Sequence, residues 1–340
     1  MSRVYFIKNE GTDYQELGRD ALELLKRIES DTGHRYEKEL PLKVHFGERG
    51  NRTYMPPACY DAIIQYLQEK GVSPLYIETS VLYRGGRTTA ESHIKVAKEH
   101  GFTQLPITIA DGEMGTDYHE IEINKEYIDK CKIGAAYGKY NQFLVMSHFK
   151  GHVEAGFGGA MKQLAMGFAS RGGKLAQHSG ISPRIKEEKC VVCGLCVEKC
   201  DFDAIYLEEY AVIDDDKCVG CAGCIAVCPE GAIRNTWSES NFLEKLAEYA
   251  YGASREKDII YITFVHNITK DCDCVGKPME PIADNIGILA SKDPVALDTA
   301  CLDMVQSTSG EKLFEKGRTA LRHAEKIGLG TMEYELVQIS

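Results

Sequence analysis

Two cysteine-rich stretches stand out in the sequence: CVVCGLCVEKC at residues 190–200 and CVGCAGCIAVCP at residues 218–229. Each contains four cysteines, separated by two, two and three residues. The second stretch begins 28 residues after the first, and Ala232-Ile233 follows Ala204-Ile205 at the same offset. We infer that the region over residues 183–236 is an internal duplication.

The composition indicates the kind of protein in which these cysteines occur. The chain has 340 residues and 13 cysteines, and eight of the cysteines lie in the duplicated region. An odd, clustered count is not typical of a disulfide scaffold and favours a localised metal module inside a larger host. The apolar runs are too short for a membrane span or a signal peptide, so we expect a cytoplasmic protein. With a net charge of −11, we expect neither nucleic acid nor a membrane among its partners.

The rest of the sequence alternates between strand-like and helix-like segments. This order predicts an α/β host with a largely parallel sheet. The host comprises residues 1–182 and 237–340, as one domain or as two lobes, and residues 183–236 form an inserted α+β domain. The strands predicted from apolar runs are Val4–Ile7, Leu42–Phe46, Leu75–Glu78, Ile107–Asp111, Phe143–Phe149, Ile259–His266, Asn285–Ala290 and Tyr334–Ile339.

Capping residues predict where several helices begin. Asp293 suits an N-cap position, and Pro294 suits the first position of the helix that follows it. Asn241 and Glu244 have the spacing of a capping box. Two further helices are predicted over Thr88–His100 and Gln163–Ala169.

The duplicated region resembles the bacterial ferredoxins that bind two [4Fe–4S] clusters. In those proteins the fourth cysteine of each run ligates the other cluster. Asp201 departs from the pattern, because a proline would follow the first run. The spacing alone also fits a pair of zinc sites built from Cys-x2-Cys pairs. The resemblance implies that one cluster is held by Cys190, Cys193, Cys196 and Cys228, and the other by Cys218, Cys221, Cys224 and Cys200.

Acidic residues surround the cysteines of this region. They form either an ordinary solvated face or a docking surface for a basic redox partner. These residues are Glu187, Glu188, Asp201, Asp203 and the run Asp214-Asp215-Asp216.

A histidine- and glycine-rich stretch follows the predicted strand Phe143–Phe149. Glycine turns between a strand and a helix allow backbone N–H groups to approach an anion or a cofactor. Ligands of open α/β sheets bind at the carboxyl ends of strands, so this position favours a functional site. The catalytic candidates are His148, His152, Lys162 and His178, the last of them in a predicted polar loop that begins at Gly172-Gly173 and ends at Ser179. The candidates for cofactor binding are Lys150, Gly158 and Gly159.

A second glycine turn carries two arginines, in the motif Arg84-Gly85-Gly86-Arg87. It follows a predicted strand and opens a predicted helix, a position that suits a carboxylate or a phosphate. Arg87 is therefore a further candidate for cofactor binding. The alternative is a turn with solvated arginines.

Five cysteines lie outside the duplicated region. Cys272 and Cys274 directly follow a predicted strand, and His266 lies nearby. They are candidates for holding a third metal ion such as iron, zinc or nickel. Redox-active thiols and a polar loop with incidental thiols are the alternatives. The other three, expected to be buried because they occur in apolar patterns, are Cys59, Cys131 and Cys301.

Two resemblances concern the host. Residues 83–87, 147–174 and 271–274 resemble the domain-of-unknown-function 362 family, a set of iron–sulfur-centre proteins with no agreed activity. The spacing of His152, Lys162 and His178 around Gly158-Gly159 is similar to that in the nickel-pincer lactate racemases. The second resemblance implies that Lys162 contacts a cofactor, that His178 ligates a metal and that His152 transfers a proton.

Three functions are consistent with these patterns. The first is an oxidoreductase, in which the ferredoxin-like insert passes electrons to a His/Lys/Cys site that acts on a small anionic substrate. The second is an electron carrier or adaptor without chemistry of its own. The third is a non-redox metal-dependent enzyme, either racemase-like or active in cofactor assembly. The first two require a redox partner protein or another electron donor.

Overall fold

The described part of the chain folds into alternating strands and helices. The computed structural model describes residues 1–83, 85–178, 182–218, 220–234 and 241–339. Its strands are β1 (Ser2–Lys8), β2 (Glu39–Lys43), β3 (Ser73–Glu78), β4 (Ile107–Ile109), β5 (Tyr118–Glu122), β6 (Lys130–Gly134), β7 (Gln142–His148), β8 (Lys150–His152), β9 (Gly156–Gly158), β10 (Arg184–Ile185), β11 (Ile205–Leu207), β12 (Ala211–Ile213), β13 (Ile233–Arg234), β14 (Asp258–Val265), β15 (Gly287–Ser291) and β16 (Tyr334–Gln338). Its helices are α1 (Tyr14–Thr32), α2 (Asp61–Glu69), α3 (Ala90–Glu99), α4 (Ala160–Phe168), α5 (Arg171–His178), α6 (Leu195–Glu198), α7 (Gly223–Val227), α8 (Phe242–Ser254), α9 (Pro294–Ser309) and α10 (Arg318–Lys326).

Eight of these strands form one sheet, in the order β16-β1-β15-β14-β7-β2-β3-β4. β15 runs antiparallel to both of its neighbours, β1 and β14. The other neighbouring pairs are parallel. The sheet therefore takes strands from both sides of the cysteine-rich region, and the prediction of a mixed α/β fold with a largely parallel sheet is confirmed.

The sheet is covered by helices on both faces. Because side chains alternate along a strand, Tyr5 points to one face while Val4 and Phe6 point to the other. Helices α1, α2 and α3 pack on the Tyr5 face, and α4, α8, α9 and α10 pack on the opposite face. Burial of the sheet on both sides explains why its strands read as continuous apolar runs.

The parallel strands place several chemically useful residues at one edge of the sheet. β14, β7, β2 and β3 are consecutive parallel neighbours, so their carboxyl ends lie side by side. The segments that leave this edge begin at Val44 after β2, Thr79 after β3, Phe149 after β7 and His266 after β14. This is the edge at which the sequence predicts a functional site.

The cysteine-rich region repeats in structure as it does in sequence. Its first half contains β10, α6 and β11, and its second half contains β12, α7 and β13. β10 pairs with β13 and β11 pairs with β12, so each small sheet combines one strand from each half. The two halves are therefore related by an approximate two-fold arrangement.

Several helix boundaries differ from those predicted. Asn241 precedes α8 in a left-handed conformation and makes no side-chain capping hydrogen bond, so the predicted capping box is wrong. α4 begins at Ala160, before the predicted start at Gln163, because a distant carboxylate from Asp298 accepts its first N–H groups. α3 begins two residues later than predicted, at Ala90, after an N-cap at Thr89. No described helix is long and apolar enough to cross a bilayer.

His178 ends a helix, whereas the sequence predicts a polar loop at this position. The glycines that suggested a loop are helical because the chain is crowded there. A Cβ atom at Gly172 would lie 2.5 Å from the carbonyl oxygen of Gly220, and one at Gly173 would lie 2.4 Å from that of Lys132. Close packing thus outweighs the low helix propensity of glycine in α5.

Asp293 connects α9 to both ends of the chain, so its loss should destabilise the fold. One carboxylate oxygen caps α9 through the N–H groups of Val295 and Ala296, as predicted. The other accepts hydrogen bonds from Ser2 Oγ and Thr331 N. We expect Asp293→Ala to lower the free energy of unfolding by about 2 kcal/mol, measured by urea denaturation.

Asp13→Ala is the matched control for this substitution. Asp13 also caps a helix, but its carboxylate bonds only to the N–H groups of Gln15 and Glu16 among the described residues. Its replacement should therefore cost less. Equal losses for the two variants would show that the contacts to Ser2 and Thr331 contribute nothing.

Candidate functional site

A pocket of about 800 Å³, including its open mouth, lies at the carboxyl ends of β2, β3 and β7. Its size and position are those of an ordinary small-molecule site in an α/β sheet. The chain segments that form it are far apart in sequence. The predicted site residues that line it are Arg87, Lys150, His152, Gly158, Gly159, Lys162, His178 and Cys274.

A second, more open cavity of about 520 Å³ adjoins this pocket. It shares Tyr83, His152 and Cys274 with the pocket, and it adds Asp271 and Cys272. Cys274 therefore lines both cavities, and Cys272 lines the more open one.

Cys272 and Cys274 form the chemical centre of the site. Their sulfur atoms are 3.2 Å apart, and Cys274 Sγ lies 3.4 Å from Nε2 of His45. The ligand atoms of these three residues all lie within 4.8 Å of one another. Lys162 places its Nζ 3.6 Å from Cys272 Sγ. Two sulfurs and an imidazole this close together can hold one metal ion.

His45 is the residue that sequence reasoning missed. β2 ends at Lys43, so His45 lies beyond the strand, although the sequence predicts a strand as far as Phe46. Its Nδ1 accepts a hydrogen bond from the N–H of Gly47, which leaves Nε2 directed at Cys274. The sequence feature that could have identified His45 is its position directly after a buried strand, which pairs in parallel with β7.

Asp273 anchors the turn that carries the two thiols. It lies between them in sequence, is fully buried, and pairs with His148 Nδ1 at 2.9 Å and Lys150 Nζ at 3.1 Å. Burial by itself would raise the pKa of Asp273, but these two cations outweigh burial and hold its pKa well below the usual range. The carboxylate is therefore ionised and fixes the turn against β7 and β8.

His148 is part of this anchor and lies outside the pocket lining. Its Nε2 is 2.6 Å from the carbonyl oxygen of His266, and its Nδ1 contacts Asp273. Both partners are hydrogen-bond acceptors, so the ring satisfies both only when it is doubly protonated. His148 thus positions Asp273, and the structure does not bring it together with the other catalytic candidates.

His152 and His178 both face the pocket in neutral form. Burial lowers the pKa of His178 to about 3, and burial together with the nearby Lys162 holds the pKa of His152 well below its usual value. Nδ1 of His152 accepts hydrogen bonds from the N–H groups of Glu154 and Ala155. His178 stacks on Phe242, with a centroid separation of 4.5 Å. Neutral imidazoles at these positions can ligate a metal or exchange a proton.

The thiols carry unequal charge because they share a hydrogen bond. Donation from Cys272 holds the pKa of Cys274 well below its usual value, and His45 and Lys162 act in the same direction against burial. The same hydrogen bond, followed by burial, raises the pKa of Cys272. At neutral pH, Cys274 is therefore the thiolate and Cys272 the thiol that donates to it.

The glycine turn before α4 is already occupied by a protein carboxylate. Asp298 accepts hydrogen bonds from the N–H groups of Ala160 and Met161, at 2.7 and 2.9 Å. A Cβ atom at Gly159 would lie 2.4 Å from Asp298 Oδ1, so only glycine permits this approach. Gly158 and Gly159 line the pocket, but these first N–H groups of α4 are directed at Asp298.

Arg87 is buried beneath the site and is paired internally. Its guanidinium contacts Glu48 at 3.3 Å, the hydroxyl of Tyr83 at 2.6 Å and Nε2 of His45 at 3.3 Å. It adds positive charge beside His45, which helps burial to lower the pKa of that histidine. The neighbouring Arg84 lies outside the described residues.

The eight cysteines of the duplicated region line two further cavities. The first cysteine cavity, about 350 Å³, is lined by Cys190, Cys193, Cys196 and Cys228. The second cysteine cavity, about 370 Å³, is lined by Cys200, Cys218, Cys221 and Cys224. Each cavity thus combines three cysteines of one run with the fourth cysteine of the other run.

Backbone N–H groups are directed at several of these sulfurs. The N–H groups of Ala204 and Ala232, which are equivalent in the repeat, each lie 3.3 Å from the sulfur of Cys200 or Cys228. Burial, followed by the neighbouring sulfur of Cys221, raises the pKa of Cys224. Thiolates assembled here therefore require a cationic centre to offset their charge.

Helix α5 separates the second cysteine cavity from the pocket. The backbone of Cys221 packs against Gly172 at the start of this helix. Two of its other residues, Lys174 and His178, line the pocket. Leu175 of the same helix packs in one apolar cluster with Cys224. A single helix thus contacts both sites.

The hydrogen bond between Cys272 and Cys274 should make the two thiols react at different rates. In protein treated with a chelator, Cys274 should react with iodoacetamide at pH 7, because it is partly exposed and ionised. Cys272→Ala removes the S–H donor, so the pKa of Cys274 should rise and its labelling should slow by about tenfold per unit of pKa. Mass-spectrometric peptide mapping measures the labelling of each cysteine.

Cys272→Ser is the matched control, because the serine hydroxyl still donates a hydrogen bond. The buried Cys59, Cys131 and Cys301, whose pKa values are raised by burial, should remain unlabelled. Labelling of Cys274 that is as fast in Cys272→Ala as in the parent protein would contradict the assigned charge distribution.

Comparisons with known proteins identify the family and two similar structures. A protein from Thermotoga maritima superimposes with a TM-score of 0.44 at 8% identity, over 94% of this chain and 60% of that chain. The lactate racemase apoprotein from Thermoanaerobacterium thermosaccharolyticum superimposes with a TM-score of 0.41 at 14% identity, over 78% of this chain and 51% of that chain. This chain therefore spans roughly half to three fifths of their length.

No curated protein matches the chain. The sequence profile of one family, described as a domain of unknown function (DUF362), matches residues 41–303. The match includes the strands that carry the pocket, the cysteine-rich region and the Cys272–Cys274 turn. Since it covers well over half of the 340 residues, the protein belongs to the DUF362 family.

Proposed function

We propose that the protein is an iron–sulfur oxidoreductase. In this proposal the duplicated region holds two [4Fe–4S] clusters, and the pocket of the α/β sheet binds the molecule that exchanges electrons with them. The observation that carries the proposal is the composition of the two cysteine cavities. Each is lined by the four cysteines that the ferredoxin resemblance assigns to one cluster, including the exchanged fourth cysteine.

The spacing of the sulfurs favours clusters over zinc. Four thiolates around one tetrahedral zinc ion are about 3.8 Å apart, because each zinc–sulfur bond is about 2.3 Å long. Among the described residues, the only group of three or more metal-binding side chains whose ligand atoms lie within 4.8 Å of one another is His45, Cys272 and Cys274. No three of the eight cysteines in the duplicated region, all of which the structure describes, have sulfurs that all lie within 4.8 Å of one another, which favours a larger polynuclear centre over a single zinc ion.

Bound clusters would supply one-electron chemistry to the protein. The contribution of the chain is the position of α5, which contacts the Cys221 backbone through Gly172 and places Lys174 and His178 at the pocket. Helix α5 therefore contacts both the second cysteine cavity and the pocket, which supports an exchange of electrons between a cluster and a molecule bound in the pocket.

The thiol centre fits a third metal ion. Cys272, Cys274 and His45 offer two sulfurs and one nitrogen, a donor set that suits borderline or soft ions such as zinc, iron or nickel. Binding would release the Cys272 thiol proton and would require the Nε2 proton of His45 to move to Nδ1, which would then no longer accept a hydrogen bond from Gly47. One of these ligands, Cys274, lines the pocket together with His152 and His178, whose neutral imidazoles can exchange protons with a bound molecule.

The charges in the pocket support a small anionic substrate. Lys162 and Lys174 both line it, and neither lies within ion-pair distance of a carboxylate among the described residues. Burial lowers the pKa of Lys174 to about 8, so this lysine is still largely protonated at neutral pH. The buried hydroxyl of Ser147, also in the lining, has no hydrogen-bond partner in the described part of the chain. A carboxylate or similar oxyanion is the kind of ligand that lysine ammonium groups and a free hydroxyl bind.

Metal and sulfide analysis tests the proposed cofactors. Anaerobically reconstituted protein should contain about eight iron and eight sulfide per chain, plus about one further metal ion. Cys272→Ser/Cys274→Ser should lose only the further ion. Cys193→Ser is the reciprocal control, because it should reduce cluster iron and leave the further ion bound.

Electron paramagnetic resonance of the dithionite-reduced protein provides an independent readout. Two interacting [4Fe–4S] signals are expected in the parent protein and in the Cys272→Ser/Cys274→Ser variant. Zinc in place of iron and sulfide would overturn the cluster assignment. Full clusters without a further ion or a ligand in the pocket would indicate an electron carrier, and a covalent mass increment on Lys162 would indicate a racemase-like enzyme.

Ligand-dependent stability tests the substrate class. The melting temperature is measured in acetate, oxalate and sulfate, and each value is compared with that in chloride at equal ionic strength. We expect at least one of the three anions to raise the melting temperature. Lys162→Met should abolish that rise because it removes a cation from the pocket wall. Lys312→Met, at an exposed lysine outside the pocket lining, should retain it. An identical rise in both variants would contradict anion binding in the pocket.

A further inference from the structure

The two cysteine cavities differ sharply in their exposure. Seven of the fourteen residues that line the first cavity are exposed, among them Val191, Val192 and Cys193. Of the twelve residues that line the second cavity, only Phe202 is exposed. A group bound in the first cavity would therefore lie near the protein surface.

The second cavity is closed by the α/β host. The carbonyl oxygen of Gly220 and the backbone of Cys221 lie against Gly172, and Gly223 lies against Thr116. Gly172 and Thr116 belong to the host, outside the duplicated region. The duplication thus produces two similar cavities, and packing against the host leaves the first one with the more exposed lining.

An apolar patch covers the first cavity. It comprises Val191, Val192, Leu207 and Pro229, and Cys193 lies within it. Val191 is 61% exposed, and Val192 and Leu207 are each 41% exposed. Exposed apolar side chains that are clustered over one cavity, rather than scattered, are typical of a protein-binding surface.

Acidic residues border this apolar patch. Glu230 lines the cavity, and Glu208 and Glu209 follow Leu207 at the tip of the β11–β12 hairpin. Glu187 lies one turn before Cys190, and its carbonyl oxygen accepts a hydrogen bond from the N–H of Cys190. Glu188 is the next residue after Glu187. Lys186 and Lys189 are basic residues of the same stretch, and Arg234 lies beside Glu230 because its Nε donates to the carbonyl oxygen of Gly231. The border therefore carries five carboxylates against two ammonium groups and one guanidinium, a net negative charge.

We infer that a one-electron carrier protein with a basic face docks on this patch and exchanges electrons with the cluster in the first cavity. The inference rests on the proposed function, because it requires that cluster. The carrier is oxidised by one electron as the cluster is reduced by one, or the reverse. An apolar centre with an acidic border fits a partner that presents an apolar contact ringed by lysine or arginine.

The test uses the reconstituted holoprotein and cytochrome c as a basic one-electron acceptor. The dithionite-reduced holoprotein should reduce cytochrome c in a stopped-flow experiment, at a rate that falls as the salt concentration rises. The triple variant Glu187→Lys/Glu188→Lys/Glu230→Lys should react about tenfold more slowly at low salt. Isothermal titration of the oxidised proteins should show a matching loss of affinity, which does not depend on turnover.

Matched controls lie on the host surface. Glu16 and Glu23 are exposed on α1 and Glu69 is exposed on α2, and replacement of all three by lysine changes the net charge by the same amount. This variant should retain the rate and the affinity of the parent. Leu207→Ser should weaken binding, whereas Leu336→Ser, at a leucine that is 42% exposed on β16, should not.

Equal effects of the two charge-reversal variants would overturn the docking surface, because net charge alone would then explain the rates. The proposed function is judged separately by reduction with dithionite, a small molecule that needs no docking patch. If dithionite reduces the clusters in every variant but substitutions in the patch leave the rate of electron transfer to cytochrome c unchanged, only the docking inference is refuted. Absence of clusters from the parent protein would refute the proposed function.

Discussion

The buried carboxylate of Asp273 is the contact on which the geometry of the thiol centre depends. It pairs with His148 and Lys150, while its backbone carbonyl accepts a hydrogen bond from the N–H of Glu48. The turn is thereby tied to β7, to β8 and to the segment that carries His45. Because breaking one partner of a buried ion pair costs about 3–5 kcal/mol, the turn is strongly held in this position. The meeting of Cys272, Cys274 and His45 follows from that placement.

The same arrangement sets the charges around the pocket. Asp273 neutralises Lys150, a cation of the pocket lining, while Lys162 remains directed at Cys272. Burial keeps His152 and His178 neutral, so they are available to a metal or a proton. The resulting site combines one thiolate, neutral imidazoles and two lysines, Lys162 and Lys174, that lie beyond ion-pair distance of the described carboxylates. This is a suitable environment for an anion beside a borderline metal ion.

Local signals predicted a large part of the fold. Asp293 and Pro294 predicted the start of α9 because capping acts within one turn of the chain. The start of α4 was not predictable, since its capping carboxylate comes from Asp298, more than a hundred residues away. Gly172 and Gly173 indicated a loop, but crowding against Gly220 and Lys132 makes them helical. Such long-range contacts leave no trace in local propensity.

The sequence by itself determined the duplicated cysteine runs, the α/β class and the group of pocket residues from Lys150 to His178, because spacing and strand order suffice for these. Only the tertiary structure decided that His45 joins Cys272 and Cys274, that His148 belongs to the anchor, and that the first cysteine cavity faces outward. Each of these results depends on which segments meet in space. Parallel strands bring distant residues to one edge of the sheet, and packing against the host covers one half of a symmetric repeat.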